Sequence, residues 1–301
     1  TPFLTNPSFL TPLSLSSYAN SLKSLFKILA CNPDNLDFFN LGAKVMARRP
    51  VFVPVLRESR LAESIDIEFN WFPGFSKKQV QKTIESMHEA AARLGISPVL
   101  EVSRKSRSSL GASLSAFDLL LKSPFGQEIS VECAYQGSKV FEKGGPFHDL
   151  YLATSREAKT DERLRNSGEV TAFDYFGIEF PIEPQTAFYD WLYMTALSHR
   201  SARIVEELRP YKGFSDIAFN PKSSINCQAR AAASFVSLSR LEPNPEDLLG
   251  DWASYLKMVT EEEAPSTNTT PARQLSILTE DTQGSAAPHC GKGESAEGCN
   301  N

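Results

Sequence analysis

Four side chains in this chain of 301 residues have the types and setting for chemistry: Glu132, Lys139, Lys159 and Asp190. A carboxylate beside a reacting sugar carbon stabilises an oxocarbenium ion or activates water. A lysine held near another cation or in a dry pocket has a lowered pKa and attacks a carbonyl. The set permits glycosidic chemistry without singling it out. Asp190 lies in the first turns of an expected helix, where the helix dipole alone also favours a carboxylate. Other catalytic patterns are missing. There is no Gly-x-Ser-x-Gly and no Gly-x-x-x-x-Gly-Lys, and Cys133 and Cys227 have no histidine nearby in sequence. The five cysteines are scattered and the four histidines show no ligand spacing, so neither a disulfide framework nor a structural zinc is expected. A reducing cytosol fits that usage best, and no apolar run approaches the roughly 18 residues a membrane span needs. A net charge of -5 argues against a generally basic nucleic-acid coat and leaves room for a local basic patch.

The element that must position most of these groups runs from Ser130 to Pro146. Ser130 is placed to cap a helix and Gly144-Gly145-Pro146 to stop it. Over that span Glu132, Gln136, Lys139 and Lys143 share one helical face, which suits a polar cleft and equally a solvated surface. Upstream, Ile65–Trp71 alternates apolar and polar residues and reads as a half-buried strand. Ser76 and Gln79 form a capping box for a helix carrying Val80, Ile84, Met87, Ala91 and Leu94, with His88 beside the stripe as a structural or surface residue. Pro98–Ser103 reads as a short strand. It leads into Arg104–Gly111, a loop of cations, hydroxyls and glycine able to hold phosphates or simply to be solvated. Thr154 and Glu157 cap a helix bearing Lys159, Thr186 caps one bearing Asp190 and Trp191, and helices follow at 223–241 and from Pro245.

Val131-Glu-Cys-Ala-Tyr-Gln-Gly-Ser-Lys-Val-Phe141 resembles the signature of NADAR (YbiA-like) domains, with Leu114-Ser-Ala-Phe117 in the place of an upstream Phe-Ser-Asn-Phe element and Ala158-Lys159 in that of a later Ala-Lys step. Further segments from Met46 to about residue 240 are similar to the NADAR antitoxins paired with DarT-type DNA ADP-ribosyltransferases, among them Phe69–Ser76, Phe188–Tyr193 and Phe219–Ala229. Cys133 stands where the family has histidine, and Ala116 where it has asparagine.

The resemblance implies a mainly α, multihelical YbiA-like domain with a few short strands. It implies an N-glycosidic hydrolase that removes ADP-ribose from guanine in DNA and so serves as antitoxin to a DNA ADP-ribosyltransferase. Glu132 is then the central acid residue, with Lys139, Lys159 and Asp190 as partners. Ser103, Arg104, Lys105, Gly111, Gly144 and Gly145 are expected around the diphosphate, with Tyr135, Gln136 and Trp191 lining the ribose or base pocket. ADP-ribosylated DNA and a cognate toxin are the expected partners, and no metal, cofactor or membrane is implied. A module that binds ADP-ribose or toxin without turnover, and an N-glycosidase of riboflavin intermediates, are the alternatives. Residues 1–45 are expected to be a peripheral extension, with Met46 reading like a chain start. Residues 46–260 are expected to form the catalytic domain. Residues 261–301, polar and poor in large apolar side chains, are expected to form a disordered tail.

Overall fold

The computed structural model describes residues 45–57, 60–200, 203–222 and 224–260. The expectations for the extension, apart from Val45, and for the tail lie outside the described residues.

A long hairpin opens the described residues. Strands β1 (Val45–Arg57) and β2 (Arg60–Trp71) pair antiparallel, Val45 opposite Trp71 and Pro54 opposite Ala62. Pro50 and Pro54 lack a backbone donor, and a ladder that runs through both requires their ring nitrogens to face away from β2. On that other edge β1 meets β9 (Gly213–Ser215) at a single pair, Phe52 opposite Phe214. Strand β9 then pairs parallel with β3 (Val99–Glu101) and completes a sheet in the order β2-β1-β9-β3. Successive side chains of β1 point to opposite faces. Val51 packs with Ile67, Phe69, Ile84, Met87 and Ala91, the last three from helix α1 (Lys77–Arg93). Phe52 packs instead into the larger core on the other face. The sheet is thus buried on both sides.

The other described elements build that larger core. It comprises α2 (Ser109–Ser113), the hairpin β4 (Leu120–Lys122) and β5 (Glu128–Ser130), α3 (Val131–Gly137), β6 (Lys139–Phe141), a 3-10 turn at His148–Leu152, and α4 (Ser155–Thr160). Next come α5 (Arg163–Asn166), β7 (Val170–Tyr175), β8 (Ile178–Phe180), α6 (Ala187–Ser198) and α7 (Arg203–Leu208). Helices α8 (Gln228–Leu241), α9 (Pro245–Gly250) and α10 (Trp252–Thr260) close it. Strands β6, β7 and β8 form a second antiparallel sheet, and β4 with β5 a third.

The expectation of a mainly α domain is therefore corrected: three sheets share the described residues with the helices, and the fold is mixed α/β. Strand β1 is the element sequence periodicity hides. Its two prolines argue against a strand, and burial on both faces removes the alternation that marks a half-buried one. The helix expected to run from Ser130 to Gly144 is also shorter. Ser130 caps it as expected, accepting from Cys133 N at 3.1 Å. Helix α3 ends at Gly137, where a Cβ would sit 2.6 Å from the Tyr151 ring, and the chain passes at once into β6, pairing Lys139 with Phe173 and Val140 with Ala172. Lys139 therefore projects from a strand, and Lys143 is exposed beyond it.

Candidate active site

Helix α3 is tied into place at its first turn. Ser130 Oγ also accepts from Ser155 Oγ at 2.8 Å, so one hydroxyl joins the starts of α3 and α4. Ser155 Oγ lies equally 2.8 Å from the Phe117 carbonyl, and Glu132 N donates to Ala116 O at 3.0 Å. The Thr154–Glu157 capping box expected from sequence opens α4. These contacts aim Glu132, from α3, and Lys159, from α4, at the same space.

That space is a cavity of about 580 Å³, within the range of small-molecule sites, about 300–1,000 Å³. Glu132 is buried in its wall, accepting from Gln136 Nε2 at 2.9 Å and facing Lys159 Nζ at 3.7 Å. Lys139 Nζ lies 4.5 Å from the centroid of the Tyr135 ring, and Lys159 Nζ 5.1 Å from that of Phe117. Burial pushes the Lys139 ammonium down to about 8; the nearby Glu132 carboxylate opposes the shift and the Lys159 cation reinforces it. An amine in that state is partly unprotonated near neutral pH, which an exposed lysine is not. Tyr135 is held edge-on against Tyr189, its hydroxyl 2.6 Å from Asn226 Nδ2.

Of the residues expected from sequence, the cavity gathers Glu132, Lys139, Lys159, Ser103, Arg104, Lys105, Tyr135 and Gln136. It does not gather five others. Asp190 lines a separate cavity of about 290 Å³, where its Oδ2 accepts from Arg230 Nη2 at 2.7 Å. Trp191 donates to the Leu249 carbonyl at 2.8 Å and packs against Phe180 and Trp252, a core role. Gly111 is buried in α2 against the Glu101 carbonyl, with no room for a Cβ. Gly144 and Gly145 turn the chain after β6, and Gly145, at φ 76°, packs against the Lys139 carbonyl. The Arg104–Gly111 loop spends two of its cations internally, Arg104 on Asp118 at 2.6 and 2.5 Å and Arg107 on Glu85. Lys105 is exposed at the rim.

Removing Asp190 is a test of this separation. Asp190→Ala leaves the half-buried Arg230 without its carboxylate, which costs about 1–3 kcal/mol. Thermal melting is expected to show that loss, while activity per folded molecule stays unchanged. A specific collapse of activity in the folded variant would return Asp190 to the chemistry.

Sequence reasoning missed the far wall, made of Asp216, Phe219, Asn226 and Gln228. Gln228 Nε2 donates to Asp216 Oδ2 at 2.9 Å and its Oε1 accepts from Ala116 N at 2.8 Å, so α8 bridges the two walls. Behind it Glu101 is fully buried, accepting from Ser103 Oγ, Ser215 Oγ and Ile217 N. Burial, and next the Asp216 charge, push Glu101 up to about 8, and burial raises Asp216 as well. His88 Nε2 lies 2.8 Å from Ser215 Oγ, and burial lowers that imidazole to about 4.

The stability consequence has a definite sign. A carboxyl raised in the fold binds more protons folded than unfolded, so stability falls as pH rises through that window. His88 acts oppositely between about 4 and 6.5, which leaves the window from about 6.5 to 8 to Glu101. The melting temperature is expected to drop across it, and Glu101→Gln to flatten the drop. An unchanged slope in that variant would count against a raised Glu101.

The departures from the NADAR signature now have places. Cys133 is buried with its Sγ 3.2 Å from the Ala153 carbonyl, off the cavity, and burial raises its thiol, which disfavours the thiolate a nucleophile needs. Ala116 does line the cavity, through a methyl group and the N–H taken by Gln228. Among the described residues no group of three or more His, Cys, Asp or Glu is set to hold a metal, and no helix is long and apolar enough to cross a membrane.

Fold and cavity define a mixed α/β domain with a buried carboxylate that faces Lys159 and acts electrostatically on Lys139. The model of the DarT1-associated NADAR antitoxins matches residues 47–269. The chain belongs to that family, as its signature segments led one to expect, and its role is that of an antitoxin. A search of curated proteins found no match to it.

Proposed function

We propose that this antitoxin removes ADP-ribose from the exocyclic amine of guanine in DNA, reversing the modification made by a DarT-type toxin. The observation that carries the reading is the pairing of a buried carboxylate, Glu132, with a lysine whose amine is pushed down to about 8, in a cavity of small-molecule size. Lys105 at the rim supplies a cation for a diphosphate, and Phe117 and Tyr135 supply ring surface.

The chemistry follows from those groups. The Glu132 carboxylate takes a proton from the Lys139 ammonium, which frees that amine, and passes it to the ribose ring oxygen as the C1″–O bond opens, leaving an iminium between C1″ and the guanine amine. The free amine of Lys139 adds to C1″. Proton transfer then expels the guanine amine and leaves a lysine iminium. Water adds to C1″, the C1″–lysine bond breaks, and the sugar closes as free ADP-ribose. Guanine and lysine are both restored.

The test is turnover. Catalytic amounts of the protein are given an oligonucleotide ADP-ribosylated on guanine, beside ADP-ribosylated thymine DNA and ADP-ribosylated protein. Mass spectrometry is expected to find free ADP-ribose and unmodified guanine in excess of the protein. Stoichiometric binding of ADP-ribose without release would instead describe a binding module.

A further inference from the structure

Gln136 carries a buried acceptor that the protein itself leaves unused. Its Nε2 donates to Glu132 Oε1 at 2.9 Å. A carboxylate oxygen accepts, so this bond fixes which end of the amide faces Glu132. The other end, Oε1, is buried and has no hydrogen-bond partner among the described residues. The residue is 8% exposed and lines the cavity. A buried acceptor without a donor is costly, and buried amides in native proteins are generally paired. The cavity is where the donor must come from.

The position of Oε1 says which donor. It belongs to the amide whose nitrogen touches the Glu132 carboxylate, so it lies one group away from whatever that carboxylate addresses. In a furanose whose C1″ and ring oxygen face Glu132, the neighbouring group is the hydroxyl on C2″. That hydroxyl becomes a stronger donor as positive charge develops at C1″, and a bond to it therefore tightens toward the transition state.

We infer that Gln136 Oε1 accepts the 2″-hydroxyl of the sugar under attack, making Gln136 a catalytic residue that restricts this site to ribosyl over 2″-deoxyribosyl substrates. The inference rests on the proposed glycohydrolase reading and adds the sugar feature that the site recognises.

The experiment crosses two proteins with two substrates. Wild type and Gln136→Met act on guanine-modified DNA carrying ADP-ribose or its 2″-deoxy analogue. Each comparison is made on one substrate, so the different intrinsic reactivity of the two sugars cancels. The loss of the Gln136–Glu132 contact cancels too, being common to both. The slowing caused by the variant is expected to be about tenfold greater on the ribosyl DNA than on the deoxy DNA, the loss of the Glu132 contact contributing equally to both. Equal slowing on both overturns the inference and leaves the glycohydrolase reading standing. A second arm needs neither turnover nor variant: calorimetry of the wild-type protein with ADP-ribose and with 2″-deoxy-ADP-ribose. At least tenfold tighter binding of ADP-ribose supports the assignment, and equal affinity overturns it. If the wild type releases ADP-ribose from neither DNA, the proposed function fails while this binding arm still decides the role of Gln136.

Discussion

Glu132→Gln is expected to slow release of ADP-ribose from guanine-modified DNA by about a thousandfold, within the range that general acid–base groups contribute. The amide keeps the size of the side chain but neither supplies nor collects the proton at the sugar ring oxygen. It also removes the anion that faces Lys159 and acts electrostatically on Lys139. The Glu132 carboxylate holds the Lys139 ammonium up against burial, so without it the amine titrates lower still. The residual activity of the variant is thus expected to rise with pH at a lower pH than in wild type. The two readouts together separate chemistry from folding, and circular dichroism confirms that the variant is folded. A folded variant with full activity would remove Glu132 from the mechanism.

The second large effect concerns Lys139. Borohydride added during turnover is expected to trap the sugar on Lys139, and Lys139→Met to lose both the adduct and the activity. Peptide mass spectrometry distinguishes this from trapping on Lys159, which would reassign the nucleophile; no adduct on either lysine would sink the iminium route and favour direct attack by water. The pH dependence has a clear direction. The unprotonated amine attacks, so the attacking step accelerates as pH rises through about 8, not through the ordinary lysine value of 10.5. Stability carries the same signature. A base whose pKa is lowered by folding is protonated more in the unfolded chain between about 8 and 10.5, so stability from this group rises with pH across that window. Lys139→Met is expected to abolish that rise and to melt higher than wild type at neutral pH, where the native protein must accommodate a buried ammonium.

Local order was legible in the sequence wherever one short segment decided it. Ser130 caps α3, Thr154 and Glu157 cap α4, and the alternation of Ile65–Trp71 marks the half of β2 that faces α1. The Ser76 cap also forms, although Gln79 turns its side chain to the Pro73 carbonyl and leaves the box half made. Helix α8 starts at Gln228, later than expected, and the last helix breaks at Asp251 into α9 and α10. The first of these starts depends on contacts from elsewhere in the chain, Gln228 being held by Ala116 and Asp216. Asp251, by contrast, caps α10 locally by accepting from Ala253 N and Ser254 N.

By itself the sequence determined the family, the capped helix that carries Glu132 and Gln136, and the four side-chain types that could act. Those follow from neighbours along the chain, through capping, spacing and signature. Only the tertiary structure decided which of them meet. It kept Lys139 in the site by ending α3 at Gly137 and turning the residue onto a strand, a choice made by the Tyr151 ring and the β7 ladder. It withdrew Asp190, because a carboxylate on α6 finds Arg230 on α8 before it finds the cavity. It brought Asp216 and Gln228 to the site from about a hundred residues downstream, and no periodicity records a pairing across that distance. What a helix face displays is local; which face of another element it meets depends on how both are buried.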